Sequence, residues 1–300
     1  WEVRASVRSG EKIKSLPEKI EVIETGSVYA DTDWGKALAN VESVVHLAGR
    51  VHVMADSSSD PLSEYRIVNT AGTEKLARAA SSSGVRRFVF MSTVKVNGEG
   101  RAILYNENDI PDPRDPYSIS KWEAEKILME VSHKTGMEVV IIRVPLVYGP
   151  GVKANFLKLL KMVDKGIPIP FKGINNKRSM IYLYNLTDLI IACIKHPDAA
   201  GKTYFASDGE DISTPELIRR MADALGKKSR LFGIPLPLMK TLGSLASYNN
   251  EIERLTGSLA VDSSRVRKEL NWEPRFTLDQ GLKETARWYK EEFHAKAQRR

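Results

Sequence analysis

Short apolar runs rich in β-branched residues alternate with helical patterns through the first half of the chain. Strand-like runs lie at Val3–Val7, Ile20–Ile23, Val44–Leu47, Phe88–Met91 and Val139–Ile142. Helical spacing of apolar residues covers Trp34–Leu38, Pro61–Ser82 and Pro116–Thr135. Strands separated by helices predict βαβ units, hence an α/β fold with a doubly wound parallel sheet. Such sheets bind ligands beyond the carboxyl ends of their strands, so chemistry is expected in the polar and glycine residues that follow each run. Past residue 148 the alternation becomes irregular. The pattern predicts a sheet domain over 1–148 and a smaller lobe over 149–293, with 180–205 returning to the sheet domain and 294–300 a solvated tail.

The helical pattern at Pro116 opens on Asp115, a good N-cap, with proline where its missing N–H costs nothing. Tyr117 and Lys121 stand four apart on one face, which continues as Ala124, Leu128 and Val131. A lysine in an inward stripe calls for a reason. One is chemical: a neighbouring ammonium favours the phenolate and lowers a tyrosine pKa from about 10, giving a proton donor or acceptor near neutral pH. The other is a surface tyrosine beside a surface lysine, and with ten tyrosines in the chain the pair alone does not decide.

Three more clusters follow strands or interrupt helices. His46-Leu47-Ala48-Gly49-Arg50 has small residues that let a ligand, or merely a tight turn, approach the backbone. Asn69 and Gly72 are poor mid-helix residues, the glycine by about 1 kcal/mol against alanine, which close packing or a ligand would explain. Ser92 and Thr93 end a strand, where hydroxyls can reach either solvent or a substrate oxygen.

Three hundred residues allow ample core, and the net charge of +7 suits an anionic small substrate or simple solubility. Nucleic-acid binding is disfavoured, because no basic block interleaves with aromatics. The lone Cys193 lies in the apolar run Leu189–Ile194, a core position. A single thiol excludes an internal disulfide framework and fits a reducing compartment, the cytoplasm. The five histidines lack metal-ligand spacing, so no metal site is expected. No apolar run reaches the roughly 20 residues of a membrane span. The apolar stretch 234–248, broken by prolines and Lys240, reads as a packed core helix or a membrane-surface helix.

Taken in order, His-Leu-Ala-Gly, Asn69-x-x-Gly-Thr73, Ser92-Thr93, Tyr117-x-x-x-Lys121 and Arg143-Val-Pro-Leu-Val-Tyr-Gly-Pro150 resemble an extended short-chain dehydrogenase/reductase, more narrowly the nucleotide-sugar epimerase/dehydratase family. The resemblance runs from Val3 to about Tyr289. It implies that Tyr117 is the acid/base residue, that Lys121 holds the nicotinamide ribose and supports the phenolate, and that Thr93, five before Gly98, completes the triad. It further implies that Leu47, Ala48, Gly49, Asn69, Met91, Ser92 and Pro145 line the cofactor, with Asp33 and Trp34 framing the adenine. Lys95, Asn155 and Arg178 join Thr93 on the substrate, Arg178 gripping the diphosphate with a planar fork suited to phosphate oxygens.

The sequence departs from the family pattern in two places. The family's opening strand and Gly-x-x-Gly-x-x-Gly turn are missing before Val3, so the sequence reads as N-terminally truncated. Asn97-Gly98 stands where the family has Tyr-Gly. NAD-preferring members carry an acid at the end of this strand, and here the place is Val7, followed by Arg8. An arginine there suits a 2′-phosphate, so the cofactor expectation is NAD(P), leaning to NADP(H). The resemblance implies a UDP-sugar substrate, chemistry at C4 and a homodimer through the helices at 61–82 and 116–135. Val7-Arg8, Val51-His-Val-Met54 and the loop Lys95–Glu99 resemble a surface-polysaccharide subgroup that holds both 4-reductases and 4-epimerases, and Val7-Arg8 makes a UDP-4-keto-6-deoxy-N-acetylhexosamine 4-reductase the favoured reading. A UDP-glucose or UDP-N-acetylglucosamine 4-epimerase is the alternative, and a non-catalytic nucleotide-binding remnant is the rival of another class. A dehydratase is disfavoured, since Val94-Lys95 rather than Asp-Glu follows Thr93.

Overall fold

A computed structural model describes the chain except residues 9–16, 18, 52–57, 236, 240, 242–248 and 295–300. His52 and Met54, most of the apolar stretch 234–248 and the tail beyond 294 therefore lie outside the described residues.

Two compact units form. The first joins Trp1–Gly98, Asp109–Arg143 and Ile190–Tyr204; the second joins Glu99–Asn108, Val144–Leu189 and Phe205–Arg300. The expected sheet domain was unbroken to 148, whereas Glu99–Asn108 belongs to the second unit. The cause is local pairing: Tyr105 N–H donates to the Ala260 carbonyl at 2.9 Å and Asp262 N–H to the Tyr105 carbonyl at 2.8 Å.

In the first unit, β1 (Arg4–Val7) and β2 (Glu21–Glu24) pair in parallel, Arg4 opposite Glu21 and Val7 opposite Glu24. A second sheet has the order β3 (Ser43–His46), β4 (Arg87–Thr93), β5 (Glu138–Val144) and β8 (Thr203–Phe205). β3 runs parallel to β4, Ser43 opposite Arg87. β4 is buried at every position but Met91, as expected of a central parallel strand covered by helices on both faces. Among the described residues no strand pairs with the remaining edge of β1 or of β3.

The helical stretch from Pro61 forms in three pieces: α2 (Pro61–Tyr65), wider π turns over Arg66–Gly72, and α3 (Thr73–Ser82). Asp60 caps the start, accepting from Ser63 N–H at 3.1 Å. Packing accounts for Gly72, because a Cβ there would come within 2.5 Å of the Val28 carbonyl oxygen. α1 (Gly35–Leu38), α3 and α4 (Pro116–Thr135) bury Leu38, Leu76, Ala80 and Leu128 against Phe88 and Ile141 of the sheet.

The second unit pairs β6 (Leu146–Tyr148) with β7 (Met180–Tyr182). Its core gathers Phe156 and Leu160 of α5 (Ala154–Asp164), Ile218 and Met221 of α7 (Thr214–Leu225), and Leu282 of the last long helix, α10 (Leu278–Tyr289). Between α7 and α10 lie α8 (Asn249–Thr256) and α9 (Ser264–Leu270). α6 (Leu183–Lys195) leads back into the first unit. There the buried Arg87 Nη1 donates to the carbonyls of Cys193, Ile194 and His196 at 2.9, 2.9 and 2.7 Å, satisfying the exposed end of α6. Cys193 is fully buried, and burial pushes its thiol up to about 12, away from nucleophilic use.

Candidate active site

The carboxyl end of β4 and the first turn of α4 bring Thr93 and Tyr117 together. Asp115 caps α4, accepting from Ser118 N–H at 2.6 Å while Asp115 N–H donates to Ser118 Oγ at 3.1 Å. Lys95 ties this cap to the turn after β4: its ammonium meets Asp115 Oδ2 at 2.6 Å and its N–H donates to Thr93 Oγ1 at 3.3 Å. The clasp sets Tyr117, two residues into the helix, against Thr93, and their hydroxyls are hydrogen-bonded. The Tyr65 ring meets the Tyr117 ring edge-on, with centroids 6.2 Å apart.

One helical turn on, Lys121 is 4% exposed and its ammonium rests 4.2 Å from the Phe90 ring centroid. Among the described residues it makes no hydrogen bond. Burial pulls its pKa down to about 7, opposed by Glu125. Tyr117 moves the other way, pushed up to about 12 by burial and by the charge of Asp115, with Tyr65 adding to both. The expected phenolate therefore does not form in the protein alone. Burial and Asp115 outweigh the hydrogen bond from Thr93, which acts the other way, and Tyr117 stands as a neutral phenol. His46, at the end of β3, is held neutral by burial and by Lys121, its pKa lowered to about 3, and its Nε2 lies 2.9 Å from Thr73 Oγ1.

Sequence reasoning missed a buried network behind this face. Ser92 Oγ donates to Glu125, whose carboxylate takes a forked pair of hydrogen bonds from Arg143, Nη2 to Oε2 at 2.6 Å and Nε to Oε1 at 3.1 Å. Arg143 Nη1 donates on to Asn97 Oδ1 at 2.9 Å. The signal was present: Glu125 follows Tyr117 and Lys121 at four-residue spacing on the same inward face.

Several expected ligand contacts have other work. Ser92 is buried and donates to Glu125. Asn69 accepts from Arg50 N–H at 2.7 Å and donates to the Arg50 carbonyl and Ser120 Oγ at 3.0 Å each. It therefore clamps the loop after β3. Trp34 is a core residue, 5% exposed. Asp33 accepts from Gly35 N–H at 2.9 Å, which closes the turn into α1. Lys95 pairs with Asp115. In the second unit, Arg178 Nη1 donates to the carbonyls of Arg254 and Gly257 at 2.6 and 3.0 Å, at the end of α8. Asn155 is the second residue of α5, half-buried. Pro145 lies buried between β5 and β6.

Several expected positions lie exposed or half-buried at strand ends. Leu47 and Ala48 are exposed at the end of β3, Met91 is half-buried in β4, and Arg8 is exposed directly after β1. A Cβ on Gly49 would stand 3.0 Å from Asn69 Oδ1 and 3.7 Å from the Lys121 ammonium, so the loop backbone skirts the buried cation. A buried ammonium without a hydrogen-bond acceptor, beside exposed strand-end backbone, fits a nicotinamide ribose. Tyr117 and Lys121 would hold its hydroxyls.

Residues 2–206 match the NAD-dependent epimerase/dehydratase family. The chain belongs to that family. It is 47% identical over 268 residues to UDP-glucose 4-epimerase of Vibrio cholerae, covering 88% of this chain and 82% of that protein. It is 31% identical to N-acetyl-α-D-glucosaminyl-diphospho-ditrans,octacis-undecaprenol 4-epimerase of Escherichia coli, covering 92% and 85%. The crystal structure of UDP-glucose 4-epimerase from Thermotoga maritima superposes with a TM-score of 0.77 at 20% identity, over 97% of this chain and 92% of that one. The family member described here is thus an enzyme with a Rossmann-like parallel sheet, of the NAD-dependent epimerase/dehydratase type.

Proposed function

We propose that this enzyme interconverts the 4-epimers of a UDP-hexose or UDP-N-acetylhexosamine. The hydrogen-bonded Thr93–Tyr117 pair beside the buried Lys121 carries the chemistry. The 47% identity to a UDP-glucose 4-epimerase favours epimerisation over the 4-reductase reading that Arg8 suggested. A bound nicotinamide would supply hydride acceptance and return at C4. Tyr117 exchanges the proton of the C4 oxygen, and Thr93 shares that oxygen's hydrogen bonds. Lys121 orients the ribose, and its positive charge favours the phenolate that desolvation otherwise opposes.

Removing the phenol as Tyr117→Phe keeps the ring against Tyr65 and should lower turnover by about 10²–10⁴ with folding intact. The assay follows UDP-glucose and UDP-N-acetylglucosamine without added cofactor, and UDP-4-keto-6-deoxy-N-acetylglucosamine with NADPH. Epimer interconversion supports the proposal. NADPH consumption by the keto sugar alone would establish the reductase. Wild-type turnover by the phenylalanine variant would remove Tyr117 from the chemistry.

The cofactor preference rests on Arg8. Exposed after β1, it suits the 2′-phosphate of NADP, so Arg8→Asp should shift binding toward NAD by tenfold or more, read by nucleotide fluorescence titration. Equal wild-type affinity for NADH and NADPH would end the argument. The second copy of a homodimer would sit on α2, α3 and α4, where Ser63, Arg66, Ile67, Thr70, Ala71 and Glu74 line a shallow concavity. The lone thiol suits the cytoplasm. Among the described residues no helix is long and apolar enough to cross a membrane.

A further inference from the structure

Two segments of the second unit lack any acidic residue: 165–178, with Lys165, Lys172, Lys177 and Arg178, and 226–235, with Lys227, Lys228 and Arg230. They lie side by side as an irregular two-stranded ribbon. Ile169 N–H donates to the Arg230 carbonyl at 2.9 Å, Phe232 N–H to the Ile169 carbonyl at 3.1 Å and Lys172 N–H to the Phe232 carbonyl at 3.1 Å. Ile169 and Phe171 turn into the core, at 1% and 7% exposure, whereas Ile167 and Phe232 stay 41% and 43% exposed. Leu238, three residues beyond Pro235, is 51% exposed. Arg178 is turned inward to its carbonyls, and Lys227 lies 3.8 Å from Asp164, but Lys165, Lys172, Lys228 and Arg230 are exposed on the ribbon.

Apolar side chains standing out among cations of one sign are the chemistry of the bilayer interface, where basic residues meet anionic headgroups and apolar ones enter the acyl boundary. A nucleic acid would take the charges but leave Ile167 and Phe232 in water or against phosphate. An acidic protein would need matching apolar surface as well, whereas a bilayer supplies both components everywhere. We propose that this ribbon docks the enzyme on an anionic lipid surface, with Lys165, Lys172, Lys228 and Arg230 on the headgroups and Ile167 and Phe232 in the interface.

The test uses the full chain, sedimented with vesicles of phosphatidylglycerol and phosphatidylethanolamine and, in parallel, of phosphatidylcholine alone. The wild type should bind the anionic vesicles, weaken as salt rises, and leave the neutral ones. Lys172→Glu, Lys228→Glu and Arg230→Glu together should lower the partition coefficient at least tenfold. The same number of reversals at Lys36, Lys75 and Lys268, exposed elsewhere, should cost far less. Ile167→Ser with Phe232→Ser keeps the charge and should weaken binding several-fold, most visibly at high salt. Absence of wild-type binding to anionic vesicles would overturn the proposal. So would equal losses in the two charge-reversal sets, which would mean net charge alone, or an unchanged partition in the serine variant. A self-associating wild type made monomeric by Phe232→Ser would seat a second copy there instead.

Discussion

At the residue scale, Lys121 bears the largest conflict between burial and charge at the site. Its pKa falls from the ordinary 10.5 to about 7 because water is excluded, and Glu125 returns only part of the loss. The sign of the resulting pH dependence follows directly. Between about pH 7 and 10.5 the unfolded chain holds a proton that the folded chain has released, so stability climbs with pH across that window. Below about 7 both states carry the charge, and the contribution is flat at its least favourable level. Lys121→Met fills the same apolar space without a charge. It should raise the melting temperature at neutral pH, abolish the climb toward alkaline pH, and destroy activity. A melting series from pH 6 to 10 measures this, and a parallel climb in the methionine variant would show that the wild-type slope has another source. The residue was legible in the sequence as a lysine on an inward stripe. Its effect on Tyr117 was not, because Asp115 and the depth of burial act on the phenol with the opposite sign.

At the scale of elements, the periodic patterns located the strands and helices to within a few residues, since burial of alternating or 3.6-spaced apolar positions is what makes them form. Side-chain partners were not legible where the fold supplies them from a distance. Arg178 finds the end of α8, Asn69 finds the loop after β3, and Ser92 finds Glu125, and none of these partners is near in sequence. A buried donor takes whichever acceptor the fold brings to it, because an unmade bond costs about 1–3 kcal/mol. The start of α4 shows the converse, a local signal that tertiary structure reuses. Asp115 both caps the helix and anchors Lys95, which holds the Thr93 turn. Asp115→Ala should cost about 1–2 kcal/mol from the lost cap and lower kcat by loosening Tyr117 against Thr93. Asp115→Asn keeps an acceptor for Ser118 N–H and should cost less than half as much in stability. Denaturant melts and turnover of the two variants separate capping from charge. Equal stability of alanine and wild type would mean that the helix start is held by packing alone.

At the scale of the whole molecule, the chain weaves between two units, and this was only partly readable. A return of 180–205 to the sheet domain was expected from a strand and helix pattern, and the observed return spans Ile190–Tyr204. The transfer of Glu99–Asn108 to the second unit depends on Tyr105 meeting Val261, more than 150 residues away, and nothing in either segment announces it. The same limit applies to quaternary structure, where a surface must be judged by what it leaves uncovered. On the first unit, Ile67 is 47% exposed within the concavity formed by Ser63, Arg66, Thr70 and Glu74. An apolar centre ringed by polar side chains is the anatomy of an interface core with its rim. If a second copy covers it, the wild type should sediment at twice 33.6 kDa, and Ile67→Asp, which places a charge at the desolvated centre, should return the chain to 33.6 kDa. Because Ile67 points away from the core, the substitution leaves the fold alone, and the melting curve of the dilute protein serves as the control. Ser63→Ala at the rim should leave association unchanged, since rim contacts contribute little. A wild type that sediments as a monomer at every concentration, or an Ile67→Asp variant that still dimerises, would remove this face from the assembly.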